Sequence, residues 1–211
     1  MKVCIFTNST RNAPNLYPLS ETVESFKNTF GDATFIVYLD KNPCVDSYKD
    51  YKNNLKQKYV VRDTEGLADG FIKAITENDD DYLFMLEHDW SFQNINHSLD
   101  EILSLMKKNN IYYFGFNKNY NKLGKGIVSS FMKERSGTIK YVECDSLSNY
   151  PHIIDRKYYQ DNIIQKIKLK GGSYGVEANL SNAELVGCRY GGLNYPPTLK
   201  HLNGKCLKED S

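Results

Sequence analysis

The sequence lacks the apolar segments that would carry a chain into or across a membrane. None of its apolar runs approaches the roughly 20 residues that span a bilayer. The first run, from Val3 to Phe6, is shorter than the hydrophobic region of a secretory signal peptide, and polar residues follow it directly. We therefore expect neither a membrane span nor a secretory leader.

An excess of either charge and a cysteine framework are also missing. The 27 Lys and Arg residues balance 26 Asp and Glu residues, giving a net charge of +1. Proteins that bind nucleic acid usually carry a clear basic excess, so the balance favours a small ligand that brings its own counterion. The five cysteines are widely spaced and form no CxxC pair, which argues against a zinc ribbon or a disulfide scaffold. A reducing, cytoplasmic setting is expected.

Glycine-rich nucleotide loops are absent as well. No GxGxxG motif follows a predicted strand, and no Gly-Lys-Ser/Thr sequence is present, so the Rossmann and P-loop fingerprints both fail. The loop after the first predicted strand, Thr7 to Asn12, contains no glycine. Enzymes that synthesise nucleotide sugars usually have a glycine-rich loop there, so a nucleotidyltransferase ranks below the alternatives considered below.

What the sequence does contain is an alternation of short apolar runs with segments of helical periodicity. Helices are expected to begin at Ser20, near Leu67 and after the capping-box sequence at Ser98. Such alternation predicts an α/β fold with right-handed crossovers and a central, mostly parallel sheet flanked by helices. The predicted strands are 3–6, 33–39, 59–61, 82–86 and 111–116.

The pattern weakens beyond Asn117. A strand over 138–143, a helix over 155–170 and a loop-rich tail are expected there. No segment has the composition of a linker, which predicts one domain over residues 1–211. Its first half, 1–116, is expected to bind a nucleotide, and its second half, 117–211, to face an acceptor.

The most informative motif is Glu87-His88-Asp89, which directly follows the uncharged strand Tyr82–Leu86. Residues at i and i+2 of an extended chain point the same way, so both carboxylates face one side. Two carboxylates at the mouth of a buried strand suit a hard divalent cation. The alternative is a solvated loop in which Asp89 caps the next element.

With this motif in place, the chain resembles nucleotide-sugar glycosyltransferases of the GT-A fold. In that family an Asp-x-Asp-like motif closes the strand that ends the nucleotide-binding half and holds Mn²⁺ or Mg²⁺ on the donor diphosphate. Glu87-His88-Asp89 matches its position, although Glu replaces the first Asp. The tail His201-Leu202-Asn203-Gly204-Lys205 is similar to the family's His-x-x-Gly ending. The resemblance thus implies Glu87, Asp89 and His201 as metal ligands.

The same resemblance implies which residues contact the donor. The loop from Thr7 to Arg11 looks like the one that meets the nucleoside, and Asp40 lies where members bind the base or ribose. Arg62 adds positive charge, and the helix near Leu67 faces the donor. The implied nucleotide-sugar-binding residues are Thr7, Asn8, Ser9, Arg11, Asp40, Arg62, Asp69, Lys73, His88 and Lys205.

A catalytic base is the last requirement, since an acceptor hydroxyl loses its proton when it attacks. Glu177, after Gly171-Gly172, resembles the acid on the family's base-carrying loop, with Asp155 and Asp145 in reserve. The family often shows Glu-Asp there, whereas Ala178 follows here, and Glu177 capping a short helix is the alternative. A base of this kind favours inversion at the sugar. A retaining enzyme would not need it, and the His-x-x-Gly tail, which is common among retaining members of the family, keeps retention open.

Taken together, the resemblance implies transfer of a hexosyl or deoxyhexosyl group from a UDP-sugar to a glycan. Within the family the chain looks like the amino-terminal glycosyltransferase domains with which chlorella viruses glycosylate their capsids. That likeness implies a domain of a longer protein acting in the host-cell cytoplasm. The departures at Glu87 and Ala178 keep open a non-catalytic module that binds sugar nucleotides or glycans.

Overall fold

A computed structural model describes residues 1–8, 17–41, 48–122, 131–145, 147–167 and 186–202 of the chain. Its centre is a nine-stranded sheet, accompanied by a two-stranded ribbon. The strands are β1 (Lys2–Asn8), β2 (Thr34–Asp40), β3 (Val60–Thr64), β4 (Tyr82–Glu87), β5 (Trp90–Phe92), β6 (Tyr113–Gly115), β7 (Met132–Arg135), β8 (Tyr141–Cys144), β9 (His152–Asp155), β10 (Gly187–Tyr190) and β11 (Leu199–His201).

Five α-helices connect these strands within the described ranges, and a short 3₁₀ turn (Ile164–Lys166) follows the last of them. The helices are α1 (Tyr17–Phe30), α2 (Tyr48–Lys56), α3 (Leu67–Thr76), α4 (Leu99–Asn109) and α5 (Arg156–Asn162). The predicted α/β class with a mostly parallel central sheet is confirmed. Among the described helices, none has the length and apolar character that a membrane span requires.

The strand order is β3-β2-β1-β4-β9-β6-β10-β8-β7. The first four of these strands are parallel, so their carboxyl ends share one edge of the sheet. Strand β9 is antiparallel to both β4 and β6, which makes β6 parallel to β4. Strands from both predicted halves therefore interleave in a single sheet.

The inner strands of the sheet are buried on both faces, which explains why β1, β2 and β4 are apolar without alternation. On β1, Val3 and Ile5 pack toward α1, α2 and α4, whereas Cys4 and Phe6 pack toward α3 and α5. On the face that packs against α1, α2 and α4, four phenylalanine rings contact one another edge to face, at centroid distances of 5.0–5.9 Å. These rings are Phe26, Phe30, Phe84 and Phe92.

Local sequence signals explain several element ends. Ser98 caps α4 with the reciprocal capping box that the sequence predicts. Its side chain accepts a hydrogen bond from Glu101 N–H, and the Glu101 carboxylate accepts one from Ser98 N–H. Gly31 takes φ +87° and ends α1 as predicted. The predicted start of α1 at Ser20 is wrong, because the helix already includes Tyr17 and Ser20 lies within it.

The second half departs most from the sequence prediction. The helix expected over 155–170 is present only as the short α5, which Asp155, the last residue of the unpredicted strand β9, caps. A 3₁₀ turn follows α5, and residues 168–170 lie outside the described residues. The tail that looked loop-rich contributes β10 to the sheet and β11 to the ribbon. Each of these strands has only three or four residues, too few to show a clear period in the sequence.

The imidazole of His152 is a buried, neutral group in the middle of this sheet. It is 0% exposed, its ring stacks 4.7 Å from Tyr113, and Nδ1 lies 2.6 Å from the Tyr150 carbonyl oxygen. Nε2 has no hydrogen-bond partner among the described residues. Burial lowers the pKa of His152 to about 4, against the raising effect of the Tyr150 hydrogen bond.

This burial predicts an acid-sensitive term in stability. Between pH 6.5 and about 4 the unfolded chain binds a proton at His152 that the folded chain does not. The neutral His152 thus contributes on the order of 3 kcal/mol to the free energy of unfolding. This contribution is complete above the unfolded pKa and is lost as the pH falls toward 4. Urea unfolding across this range should give a shallower pH slope for His152→Gln than for the wild type. Parallel slopes would contradict the assignment.

Candidate active site

Polar side chains collect at the carboxyl edge of the parallel strands, where ligands bind in open α/β sheets. Asn8, Asp40 and Thr64 lie side by side in the registers of β1, β2 and β3. Glu87 ends β4 opposite Phe6 of β1. Four consecutive strands of the sheet therefore deliver their last residues to one place.

The acidic motif is held in a tight turn between β4 and β5. His88 N–H donates to the Phe6 carbonyl at 3.1 Å. Thr22 of α1, fully buried, donates to the His88 carbonyl at 2.7 Å and accepts from Trp90 N–H at 3.2 Å. The backbone of Glu87-His88-Asp89 is thus fixed both by β1 and by α1.

Strand β11 brings His201 to this motif from the far end of the chain. His201 pairs with Trp90 in the antiparallel ribbon of β5 and β11. Its Nε2 lies 3.0 Å from Asp89 Oδ2, and the next residue, Leu202, donates its N–H to the Asp89 carbonyl at 2.7 Å. Asp89 and His201, two of the three metal ligands implied by the resemblance, are therefore neighbours.

The third implied ligand, Glu87, is directed toward Trp90, whose Nε1–H lies 3.4 Å from Glu87 Oε2. Within the described ranges, no group of three His, Cys, Asp or Glu side chains is arranged to hold a metal ion. The oxygen of Asp89 and the nitrogen of His201 nevertheless suit Mn²⁺ or Mg²⁺, which commonly takes one or two protein ligands and completes its shell with phosphate and water. The pair fits a metal that is bound together with a diphosphate.

His88 lies between the two acids but occupies a different environment. Its Nδ1 is 3.3 Å from the Phe6 carbonyl oxygen. Burial lowers the pKa of His88, and the nearby His201 lowers it further, while Asp89 and the Phe6 carbonyl act in the opposite direction. A neutral imidazole packed against β1 supports the turn.

A buried polar network ties the approach to β11 to the loop after β6. Asn117 donates its N–H to Thr198 Oγ1 at 2.8 Å, and its Nδ2 donates to the carbonyls of Asn119 and Pro196 at 2.8 and 3.0 Å. The Thr198 hydroxyl donates to Asn117 Oδ1 at 2.7 Å, and Thr198 N–H donates to the Asn117 carbonyl at 2.8 Å. Because both residues are at most 2% exposed, these bonds fix the loop relative to β11.

The predicted donor contacts on the nucleotide side form a second cluster. Asp40 at the end of β2 accepts a hydrogen bond from Gly66 N–H, just before α3, although burial raises the pKa of Asp40 overall. Thr7 hydrogen-bonds to Tyr51 at 2.9 Å. Asp69 and Lys73 pair along α3 at 2.8 Å. Partial burial acts to raise the pKa of Asp69, but the Lys73 and Glu65 N–H hydrogen bonds hold it below its ordinary value.

Other predicted residues lie away from this edge. Arg62 Nε lies 3.5 Å from Glu77 Oε2. Glu77 follows the last turn of α3, so this ion pair lies at the opposite end of the helix from Gly66. Asp155 pairs in register with Tyr82 at the start of β4 and caps α5 through Tyr158 N–H at 2.8 Å. Asp155 is thus at the opposite edge of the sheet from Glu87, which corrects its prediction as a reserve base. Asp145, after β8, is at that same distant edge.

Four predicted site residues lie outside the described residues. They are Ser9, Arg11, Glu177 and Lys205. The side chain of Asn8 is likewise not described, although its backbone pairs with Asp40. The roles implied for these residues stay predictions.

The fold is similar to those of several solved structures. Staphylococcus aureus TarS, residues 1–349, superposes with a TM-score of 0.58 at 12% identity over 94% of this chain. Its complex with UDP gives 0.58 at 14% identity. CMP-2-keto-3-deoxy-manno-octonic acid synthetase in complex with CTP gives 0.54 at 11% identity over 91% of this chain and 92% of its own. The fold is GT-A-like.

A GT-A-like fold is shared by glycosyltransferases and nucleotidyltransferases, and identities this low show the fold alone. The structural neighbours are enzymes that bind nucleotides or nucleotide sugars. This chain spans 60% of the length of the TarS structure. No protein-family profile and no curated protein sequence matches it significantly.

Sequence reasoning missed the aromatic and basic surroundings of the acidic motif. The Trp90 ring contacts the His201 ring edge to face, with 4.7 Å between the ring centres. It also contacts the tilted ring of Tyr150, with 5.2 Å between the centres. Lys118 Nζ lies 5.6 Å from the Trp90 ring centre and 5.9 Å from that of Tyr150. Trp90 is the single tryptophan and directly follows the motif, which is a signal in the sequence. Lys118 and Tyr150 carry none.

The Asn117–Thr198 network predicts a large loss of stability when it is broken. Asn117→Ala removes three side-chain hydrogen bonds, so that the Pro196 carbonyl loses its donor and the buried Thr198 hydroxyl loses its acceptor. We therefore expect a loss of about 2–3 kcal/mol in the free energy of unfolding. Chemical denaturation measures it. Asn119→Ala is the matched control, because Asn119 is exposed and the network uses only its carbonyl oxygen. Equal effects of the two substitutions would contradict the network's role.

Proposed function

We propose that the protein is a metal-dependent glycosyltransferase that moves a sugar from a nucleoside diphosphate donor, with UDP favoured, to a glycan acceptor. The observation that carries the proposal is the contact between Asp89, which follows β4, and His201, on β11, at 3.0 Å. Two side chains of the kinds that bind metals, from distant parts of the chain, meet at the carboxyl edge of a GT-A-like sheet. Support also comes from TarS, a glycosyltransferase whose structure includes a UDP complex.

The chemistry of the transfer requires stabilisation of the leaving group. As the bond between sugar and diphosphate breaks, negative charge develops on the phosphate. Asp89 and His201 would hold a divalent metal, which would supply the positive charge that stabilises the leaving phosphate. Thr22 and the backbone of β1 hold the motif still, so that little reorganisation is needed during the reaction.

The nucleoside side of the donor is assigned to the cluster at the ends of β1 and β2. The Asp40 carboxylate and the backbone at the start of α3 offer an acceptor and donors for a base or ribose. Under the same proposal, Glu177 takes the proton of the acceptor hydroxyl and the anomeric centre is inverted. Glycosylation of a viral capsid is the setting that the chlorella-virus likeness suggests.

A nucleotidyltransferase is the second candidate function. The observation in its favour is the superposition of CMP-2-keto-3-deoxy-manno-octonic acid synthetase, which covers 92% of that enzyme's chain. UDP-glucose pyrophosphorylase, bound to UDP-glucose, gives a TM-score of 0.50 over 92% of both chains. Against it stands the loop after β1, which lacks glycine in Thr7 to Asn12. Release of pyrophosphate from CTP or UTP with a sugar phosphate would favour this candidate.

The proposal predicts metal-dependent stabilisation by UDP. A ligand that binds only the folded state raises the melting temperature, by several degrees at a concentration 100 times its Kd. UDP with Mn²⁺ should stabilise the wild type, and Asp89→Asn should remove most of the shift. Asp79→Asn is the matched control, because Asp79 is exposed and pairs with Lys2 at the other edge. Thermal unfolding with UDP or GDP, each with and without Mn²⁺, measures the effect.

Three outcomes separate the hypotheses. Stabilisation of the wild type and the Asp79 variant, together with slow release of sugar from a UDP-sugar, supports the transferase. Binding with no turnover under any acceptor indicates the non-catalytic module instead. If no nucleotide shifts the melting temperature, the proposed donor site is wrong.

A further inference from the structure

Lys118 occupies a defined position beside the candidate metal site. It follows β6, which is parallel to β4, so it lies beyond the same edge of the sheet as Glu87. Its ammonium group stands 5.6 Å from the centre of the Trp90 ring and 5.9 Å from that of Tyr150. Contact with two aromatic rings holds a lysine in place while leaving its donors available.

The rings beneath Lys118 connect it to the motif. Trp90 contacts the His201 ring at 4.7 Å, and its Nε1–H lies 3.4 Å from Glu87 Oε2. A single indole therefore separates the ammonium group from both a carboxylate and the imidazole of the candidate metal pair. The backbone of Lys118 is fixed by its neighbour Asn117, which the buried network anchors to Thr198.

Four cations on the nucleotide side of the sheet are already paired with carboxylates. Lys73 pairs with Asp69 at 2.8 Å, and Lys41 pairs with Glu65 at 3.0 Å. Lys52 pairs with Asp63, and Arg62 pairs with Glu77 at 3.5 Å. Lys118 forms no ion pair with any described carboxylate, although it stands close to the acidic motif. A cation held near acids without being paired to one is suited to an incoming anion.

We propose that Lys118 is a binding residue for the diphosphate of the nucleotide donor, acting from the acceptor side of the metal site. The inference rests on the proposed function, because it concerns the same donor. A diphosphate approaching Glu87 and Asp89 meets like charge, which the Lys118 ammonium group offsets and a bound divalent metal would offset further. The ammonium group also donates hydrogen bonds to phosphate oxygens as negative charge develops on them.

The test compares binding of UDP, UMP and uridine by isothermal titration calorimetry at constant Mn²⁺. Lys118→Met keeps an unbranched stem over the two rings and removes the charge. We expect it to weaken UDP binding about tenfold, the size of one charge-assisted hydrogen bond, and to leave uridine binding unchanged. Lys118→Arg should restore most of the affinity for UDP, because it keeps a cation over the rings.

Lys122→Met is the matched control. Lys122 is exposed on the same loop, and its Nζ lies 6.0 Å from the ring of Tyr120, so the contact is of the same kind but away from Trp90. UDP binding should be unchanged in this variant. A melting temperature for Lys118→Met within the range of the Lys122 variant separates lost binding from lost folding.

The outcomes distinguish this inference from the function on which it rests. If the wild type binds UDP and Lys118→Met binds it equally well, the Lys118 assignment is wrong and the donor site stands. If Lys118→Met weakens only a donor whose sugar carries a carboxylate, such as UDP-glucuronate, then Lys118 reads the sugar and the diphosphate assignment is overturned. If the wild type does not bind UDP, the proposed function and this inference fail together.

Discussion

The candidate site depends on the pairing of two three-residue strands. Strand β5 continues directly from the acidic motif, and β11 lies beside it through the pairs of Trp90 with His201 and Phe92 with Leu199. An isolated ribbon of this size has marginal stability in water. It persists here because Trp90, Phe92 and Leu199 are at most 9% exposed and because Asn117 and Thr198 bond the chain leading to β11. The position of His201 is a consequence of that packing.

The sheet and the ribbon each position different residues of the candidate site. The parallel strands bring Asp40 and Glu87 to one edge, which is a property of the α/β architecture. The ribbon adds what the sheet alone does not provide, the imidazole of His201 beside Asp89. Lys118 and Tyr150 then surround the motif from segments that follow β6 and precede β9. The candidate site and its surroundings thus come from four separate stretches of chain.

The fold class and the acidic motif were predictable because they rest on local pattern. The first strands are continuous apolar runs, and the capping box at Ser98 is a signal of four residues. The antiparallel β9 was not predictable, since His152–Asp155 has only four residues and runs directly into α5. The placement of Asp155 at the wrong edge follows from the same miss. The position of Lys118 beside the motif was not predictable, because the rings that it contacts, Trp90 and Tyr150, are distant from it in sequence.

The insertion of β9 between β4 and β6 has a consequence for how the chain acquires its structure. When residues 1–116 have left the ribosome, β4 and β6 are present, but the strand that joins them, His152–Asp155, is not. The four parallel strands β3, β2, β1 and β4 can pair without it, but the nine-stranded sheet becomes continuous only after β9 has been synthesised, and β11 follows later still. Such long-range pairings make for slow folding, because loops must close before contacts form. The candidate site, which includes His201, is therefore complete only after β11 has been synthesised.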